Sequence, residues 1–233
     1  MYATERGTRR IVTAGLLLAI TLLLTLTRIG LIPVPTPAAN ATVSHIPAIL
    51  GGILEGPLVG LIVGLGFGFS SFAAATIPMF KDPLVAIVPR MFIGLAAAGA
   101  FLSLRRANKP TLQVMLAILL VTLLVFSYQT YGTIRWLGVV VAVAAVAMAG
   151  FLYWWMERED TRVVSLAIAA AVGSLTNTVL VLSMAVVRGY IPSEAAWGIG
   201  VTHGIPEVIV SALVTVAVVS ALQQIGRRQG SRL

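Results

Sequence analysis

Gly56-Pro57-Leu58-Val59-Gly60-Leu61-Ile62-Val63-Gly64-Leu65-Gly66-Phe67-Gly68 carries no charged or amide side chain and repeats glycine at positions 56, 60, 64 and 68. A run this apolar reads as a helix in lipid, and four-residue spacing lines those glycines along one side as bare backbone. Helices in hydrocarbon gain nothing from hiding apolar surface against each other, so small residues at i and i+4 serve close van der Waals approach. The spacing predicts packing inside a helix bundle, with docking of a partner helix as the alternative.

The rest of the chain has the same character. Hydrophobic residues make up 58% and charged residues 10%, and the mean hydropathy of +0.99 describes a polytopic membrane protein. A net charge of +8 raises the question of nucleic acid. The basic residues stand singly or in pairs at segment ends, with neither a long basic run nor interleaved aromatics, which excludes it. There is no cysteine, hence no disulfide, thiolate metal site or cysteine nucleophile. Ile11 to Thr27 follows Arg9 and Arg10 like the core of a signal peptide, but no small-residue cleavage site precedes Pro33 to Pro37, so it is expected to stay as a membrane helix.

Apolar segments are expected at about 10–28, 45–55, 57–76, 85–104, 111–128, 134–156, 162–187 and 199–223. The eleven residues 45–55 rise only about 16 Å as a helix, half a hydrocarbon core. That segment either extends back towards Ala39 or is a half-span held inside the bundle. The terminal segments and the joints at 55–57, 105–109 and 157–162 hold eleven of the sixteen basic residues. Positive-inside bias then puts both termini in the cytoplasm and loops 29–44, 77–84, 129–133 and 188–198 outside. No soluble domain, ATP-binding loop or redox centre is expected, so any energy used must be borrowed.

Ionisable residues within the apolar runs are His45, Arg90, His203 and Glu207, with Lys81 and Asp82 just before the fourth segment. A charge in hydrocarbon costs roughly 3 kcal/mol on insertion scales and points to a partner or a watery cavity. These residues gather near one leaflet, which predicts an outward-facing cup. An Arg90–Glu207 ion pair that merely holds helices together is the plainer alternative. Asn177 lies between two threonines as an interhelical bond or a ligand group. Ser70 either bonds back to its own helix or faces the cup, while Asn40 and Trp197 sit at its mouth, Trp197 equally as an interfacial anchor. His45, His203 and Glu207 are too loosely patterned to specify a metal site, and no nucleophile with an adjacent base stands out, so neither metal, cofactor nor enzyme activity is expected.

Several strings resemble the substrate-binding S components of energy-coupling factor (ECF) vitamin transporters. They are Asn40-Ala-Thr-Val-Ser-His45-Ile-Pro-Ala-Ile-Leu-Gly-Gly-Ile-Leu-Glu55-Gly-Pro, Asp82-Pro-Leu-Val-Ala-Ile-Val-Pro-Arg90, Gly173-Ser-Leu-Thr-Asn177-Thr and Gly204-Ile-Pro-Glu207. The resemblance implies an all-α integral membrane protein of a prokaryotic plasma membrane: a single domain, 1–233, with a six-helix core (10–104 and 162–223) and an extra two-helix hairpin at 111–156. It implies capture of a vitamin or related micronutrient from outside, association with a membrane coupling subunit and two cytosolic ATPases, and toppling in the membrane to release the cargo. Asn40, His45, Ser70, Lys81, Arg90, Asn177, Trp197, His203 and Glu207 would then bind the solute, the cationic pair suiting a carboxylate such as that of pantothenate. Loops 29–44 and 77–84 would close over it, the prolines 33, 35 and 37 stiffening the first into a preformed flap. Ala14, Gly15 and Ala19 would face the coupling subunit. A stand-alone secondary transporter or channel is the alternative, though no internal repeat supports it; an intramembrane enzyme is the third.

Overall fold

The computed structural model describes residues 2–33, 40–133, 135–158 and 160–230. It divides into two compact units, one of residues 1–102 with 166–233 and one of residues 103–165. The elements in order are α1 (Tyr2–Leu26), β1 (Leu31–Pro33), β2 (Asn40–Thr42), α2 (Ile46–Glu55), α3 (Pro57–Ala73), a 3₁₀ turn (Pro78–Lys81), α4 (Pro83–Ala86), α5 (Val88–Leu104), α6 (Lys109–Thr133), α7 (Arg135–Arg158), α8 (Thr161–Val187) and α9 (Ser193–Gly230). Among the described residues, four stretches are long and apolar enough to cross a membrane: 7–26, 83–104, 161–187 and 193–225. Helices α2 and α3 are apolar but shorter.

In the first unit α2 is the buried element. Residues Ile46 to Ile53 are all covered, and Ile49 packs in one core with Val63, Phe67, Ile93 and Leu166. Backbone can approach α2 because glycines meet there. A Cβ on Gly60 would stand 2.8 Å from Gly94 Cα and 2.9 Å from Gly52 Cα, closer than real Cβ atoms come. Gly64 and Gly68 continue the contact along α5 and α4, against Arg90 and Ile87. The four-residue glycine spacing thus serves packing within the bundle, as the first of the two sequence readings has it. Gly56 makes the α2–α3 corner at φ 97°, a left-handed conformation that costs a residue with a Cβ. Glu55 beside it ties that corner to α1, with its carboxylate 3.4 Å from Arg9 Nε and its carbonyl accepting from Arg10 Nη2 at 3.0 Å.

Two expectations need correction. The all-α reading omits a two-stranded antiparallel ribbon, β1 with β2, in register Leu31↔Thr42, Ile32↔Ala41 and Pro33↔Asn40. Pro33 holds φ extended and biases Ile32 the same way, so this part of the flap takes strand geometry; residues 34–39, with the other prolines of the stretch, lie outside the described residues. The ribbon also stops α2 from reaching back to Ala39, leaving it ten residues long. The segment 85–104 is not one helix either. Asp82 caps α4 by accepting from Leu84 N at 2.9 Å, and Pro89, lacking an N–H, cannot complete the ladder to Val85, so α5 starts anew at Val88.

In the second unit α6 and α7 form an antiparallel hairpin. Its open end is held where Gln113 Nε2 donates to Glu157 Oε1 at 2.9 Å and Lys109 Nζ lies 3.8 Å from Glu157 Oε2.

Candidate binding cleft

Within the first unit a cleft opens between β2 (Asn40, Thr42), the 3₁₀ turn (Met79, Phe80), α5 (Arg90), α8 (Asn177, Thr178, Val181, Leu182) and α9 (Ile199, His203, Glu207). Its volume is about 50 Å³, room for only a few waters.

Arg90 is positioned by the break before it. Pro89 has no amide hydrogen for the Val85 carbonyl, and Arg90 Nη1 donates to that carbonyl instead. The guanidinium carbon lies 5.6 Å from the Phe67 ring centroid and 5.0 Å from that of Phe80, cation–π distances that suit a buried cation. Arg90 is 3% exposed, yet its Nε has no protein partner. Across the cleft Asn177, 5% exposed, has its amide oxygen equally unpartnered. One buried donor and one buried acceptor without protein partners thus belong to residues that line the same cleft.

Glu207 is already occupied. Oε1 accepts from Thr42 N at 2.6 Å and Oε2 from Thr178 Oγ1 at 3.2 Å. One turn earlier on α9, His203 is within hydrogen-bonding reach of the Asn40 backbone. Two residues along a strand and four along a helix both advance about 6–7 Å, so β2 lies on α9 with matching repeats. His203 and Glu207 fasten the ribbon. No ion pair joins Arg90 to Glu207 among the described residues, so the helix-holding pair considered from sequence does not form.

Of the nine residues proposed from sequence, the cleft gathers Asn40, Arg90, Asn177, His203 and Glu207. The other four lie elsewhere. His45 is completely buried, its Nε2 shared by Ser211 Oγ at 2.8 Å and Ser174 Oγ at 3.1 Å. That places it one turn further along α9 than Glu207, where it joins α2 to α8 and α9. Ser70 bonds back to the Phe67 carbonyl at 3.0 Å. Lys81 is exposed outside the lining, as is Trp197, 63% exposed. Phe80, Thr42 and Thr178 are the polar and aromatic residues that sequence reasoning missed. Thr42 was within reach of it, because residues i and i+2 of a strand share a face and Asn40 was already in hand.

The turn that carries Phe80 is latched from outside the spans. Asp82 accepts from Arg188 Nε at 2.6 Å and from Tyr190 OH at 3.4 Å. The Arg188 hydrogen bond, the larger effect, outweighs partial desolvation and holds the Asp82 carboxyl below its usual pKa. On α1 the residues assigned to docking divide. Ala14 packs against the core, whereas Gly15 and Ala19 are exposed and a Cβ on Gly15 would meet nothing within 4 Å.

The family profile for the substrate-specific component of ECF transporters matches residues 9–136, which include most of α1, the ribbon, α2, α3 and the Arg90 anchor. The chain belongs to this family. No curated protein matches it. An S component is a multi-pass membrane protein that binds a small solute and works with membrane and ATPase modules; it is not an enzyme. This S component's α8 and α9 residues, Asn177, His203 and Glu207, lie beyond the matched range and owe their place in the cleft to the fold.

Proposed function

We propose that this S component captures a vitamin-like micronutrient from the outer side of a prokaryotic plasma membrane through Arg90 and Asn177. The single observation that carries the reading is that two residues lining one cleft, Arg90 and Asn177, each hold a buried atom, Nε and Oδ1, without a protein partner. Leaving such groups unsatisfied costs about 1–3 kcal/mol each, so a solute that supplies both partners recovers that cost on binding. The complementary solute offers a carboxylate or carbonyl oxygen to Arg90 and an N–H or O–H to Asn177. Pantothenate has both.

The orientation has both termini in the cytoplasm and eight crossings, the six-helix core plus the hairpin. It rests on the basic joints and on the contact of Arg9 and Arg10 with Glu55, which puts the N-terminus and the α2–α3 corner at the end of α2 away from the cleft. Gly15 and Ala19 face the coupling subunit that joins this S component to two ATPases, which suits their open surface.

The test is a melting-temperature screen of the purified protein against a vitamin panel. A ligand at a hundredfold excess over its Kd stabilises the folded form by about 2.7 kcal/mol. A hit abolished by Arg90→Ala, with the unliganded melt retained, supports the reading. Silence across the panel, or a hit indifferent to both Arg90→Ala and Asn177→Ala, overturns it.

A further inference from the structure

The second unit ends in a group of arginines that solute capture leaves unexplained. Leu104, Leu112, Met156 and Val164, at the end of α5, the start of α6, the end of α7 and the start of α8, are all buried. Ser165 Oγ donates to the Leu104 carbonyl at 3.0 Å, and Asn108 caps α6 by accepting from Thr111 N at 3.0 Å. Residues 105–108 are thereby drawn beside residues 160–165.

The described acidic groups at this end are engaged. Glu157 takes Gln113 and Lys109, and Asp160 Oδ1 accepts from Arg162 N at 3.1 Å at the start of α8; Glu159 lies outside the described residues. Arg158 is also engaged, its guanidinium carbon 4.2 Å from the Trp154 ring centroid. Arg105, Arg106 and Arg162 remain exposed, with no ion pair among the described residues. Like charges on adjoining segments repel, and an anion among them offsets that repulsion. Beside them the hairpin exposes large apolar side chains: Val114 is 58%, Phe151 60% and Trp154 49% exposed.

We propose that Arg105, Arg106 and Arg162 form a headgroup site for an anionic phospholipid, whose acyl chains lie against the exposed apolar face of α6 and α7. The arrangement favours a lipid over an acidic protein or a free anion because one ligand then satisfies both surfaces, a phosphate for the arginines and hydrocarbon for the helices. Trp154 with Arg158 stacked on it marks the level of the interface, where aromatic rings and cations gather. The site anchors the hairpin and is independent of what the cleft binds.

The experiment uses the full chain in neutral detergent, titrated with phosphatidylglycerol, with phosphatidylcholine of the same acyl chains and with inorganic phosphate, bound lipid being counted by native mass spectrometry. Phosphatidylglycerol is expected to bind more tightly than phosphatidylcholine. Each arginine near the surface is worth roughly 5-fold, so Arg105→Gln/Arg106→Gln/Arg162→Gln should weaken it by about 100-fold. Arg135→Gln, at the opposite end of α7, should leave it unchanged, and an unaltered lipid-free melting temperature confirms that the triple variant folds. Equal binding of the two lipids overturns the proposal and leaves the arginines facing an acidic protein surface. Undiminished binding to the triple variant overturns it too, as does an equal loss from Arg135→Gln. Displacement of the lipid by inorganic phosphate alone would make the site one for a free anion.

Discussion

Gly60 and Gly15 stand in the same kind of pattern, small residues four apart on an apolar helix, and meet opposite surroundings. Gly60 lies against the backbone of Gly94 and Gly52, while the same position on Gly15 opens onto nothing within 4 Å. The spacing says that a helix surface is small; it does not say whether a neighbour already covers it. The polar residues divide in the same way. Glu207 is engaged through both carboxylate oxygens and His45 lies away from the cleft with its Nε2 between two serines, whereas Arg90 and Asn177 line the cleft and each has one buried atom without a protein partner. Covered groups should answer in stability, open ones in binding or docking.

The largest effect is expected from Gly60→Val. Its branched side chain has only backbone to push against, and overpacking costs about 1–3 kcal/mol or more, so the melting temperature should collapse. A Gly60→Val protein as stable as the parent would break the comparison at its firmest point. His45→Ala comes next. It leaves two buried hydroxyls without their imidazole, at about 1–3 kcal/mol for a buried group without its partner, and should lower stability without altering which solute is chosen. A changed ligand profile would return His45 to the solute's side.

Acidification should act more gently, on the latch over the 3₁₀ turn. Because the folded pKa of Asp82 is depressed, chiefly by the Arg188 hydrogen bond, the latch is in full force above the unfolded value of about 3.9 and is lost as pH falls through the lower folded value. Hydrogen exchange at Phe80 and Lys81 should quicken in that window, and Asp82→Asn should abolish the pH dependence. Exchange that ignores pH would mean the turn is held by apolar packing alone. The smallest effect on the fold is expected from Gly15→Leu, since it replaces a poor helix former at an open position. Stability and solute capture should persist while ATP-driven uptake falls; uptake at the parental rate would remove Gly15 from the docking surface.

Much of this was readable from residues alone. Lipid as solvent makes apolar length and charge asymmetry direct signals, so the membrane class and most helix locations followed from composition. Arg90 and Asn177 stood out because polar groups are rare in such runs. The ribbon was not readable, since a three-residue strand in a proline-rich connection leaves too short a period to detect. Nor was the break before α5, where four residues of α4 look continuous with the helix until Pro89 is weighed for its missing hydrogen.

The sequence by itself determined that this is a helical membrane protein of the S-component kind, with few polar side chains in its apolar runs. Those are properties of local chemistry, and a chain carries them wherever it folds. Only the tertiary structure decided that His45 serves the core, that Glu207 fastens the ribbon and that Arg90 and Asn177 share a cleft. Whether a group is spent or free depends on neighbours far along the chain: Thr42 reaches Glu207 across 165 positions, and no local pattern records that meeting.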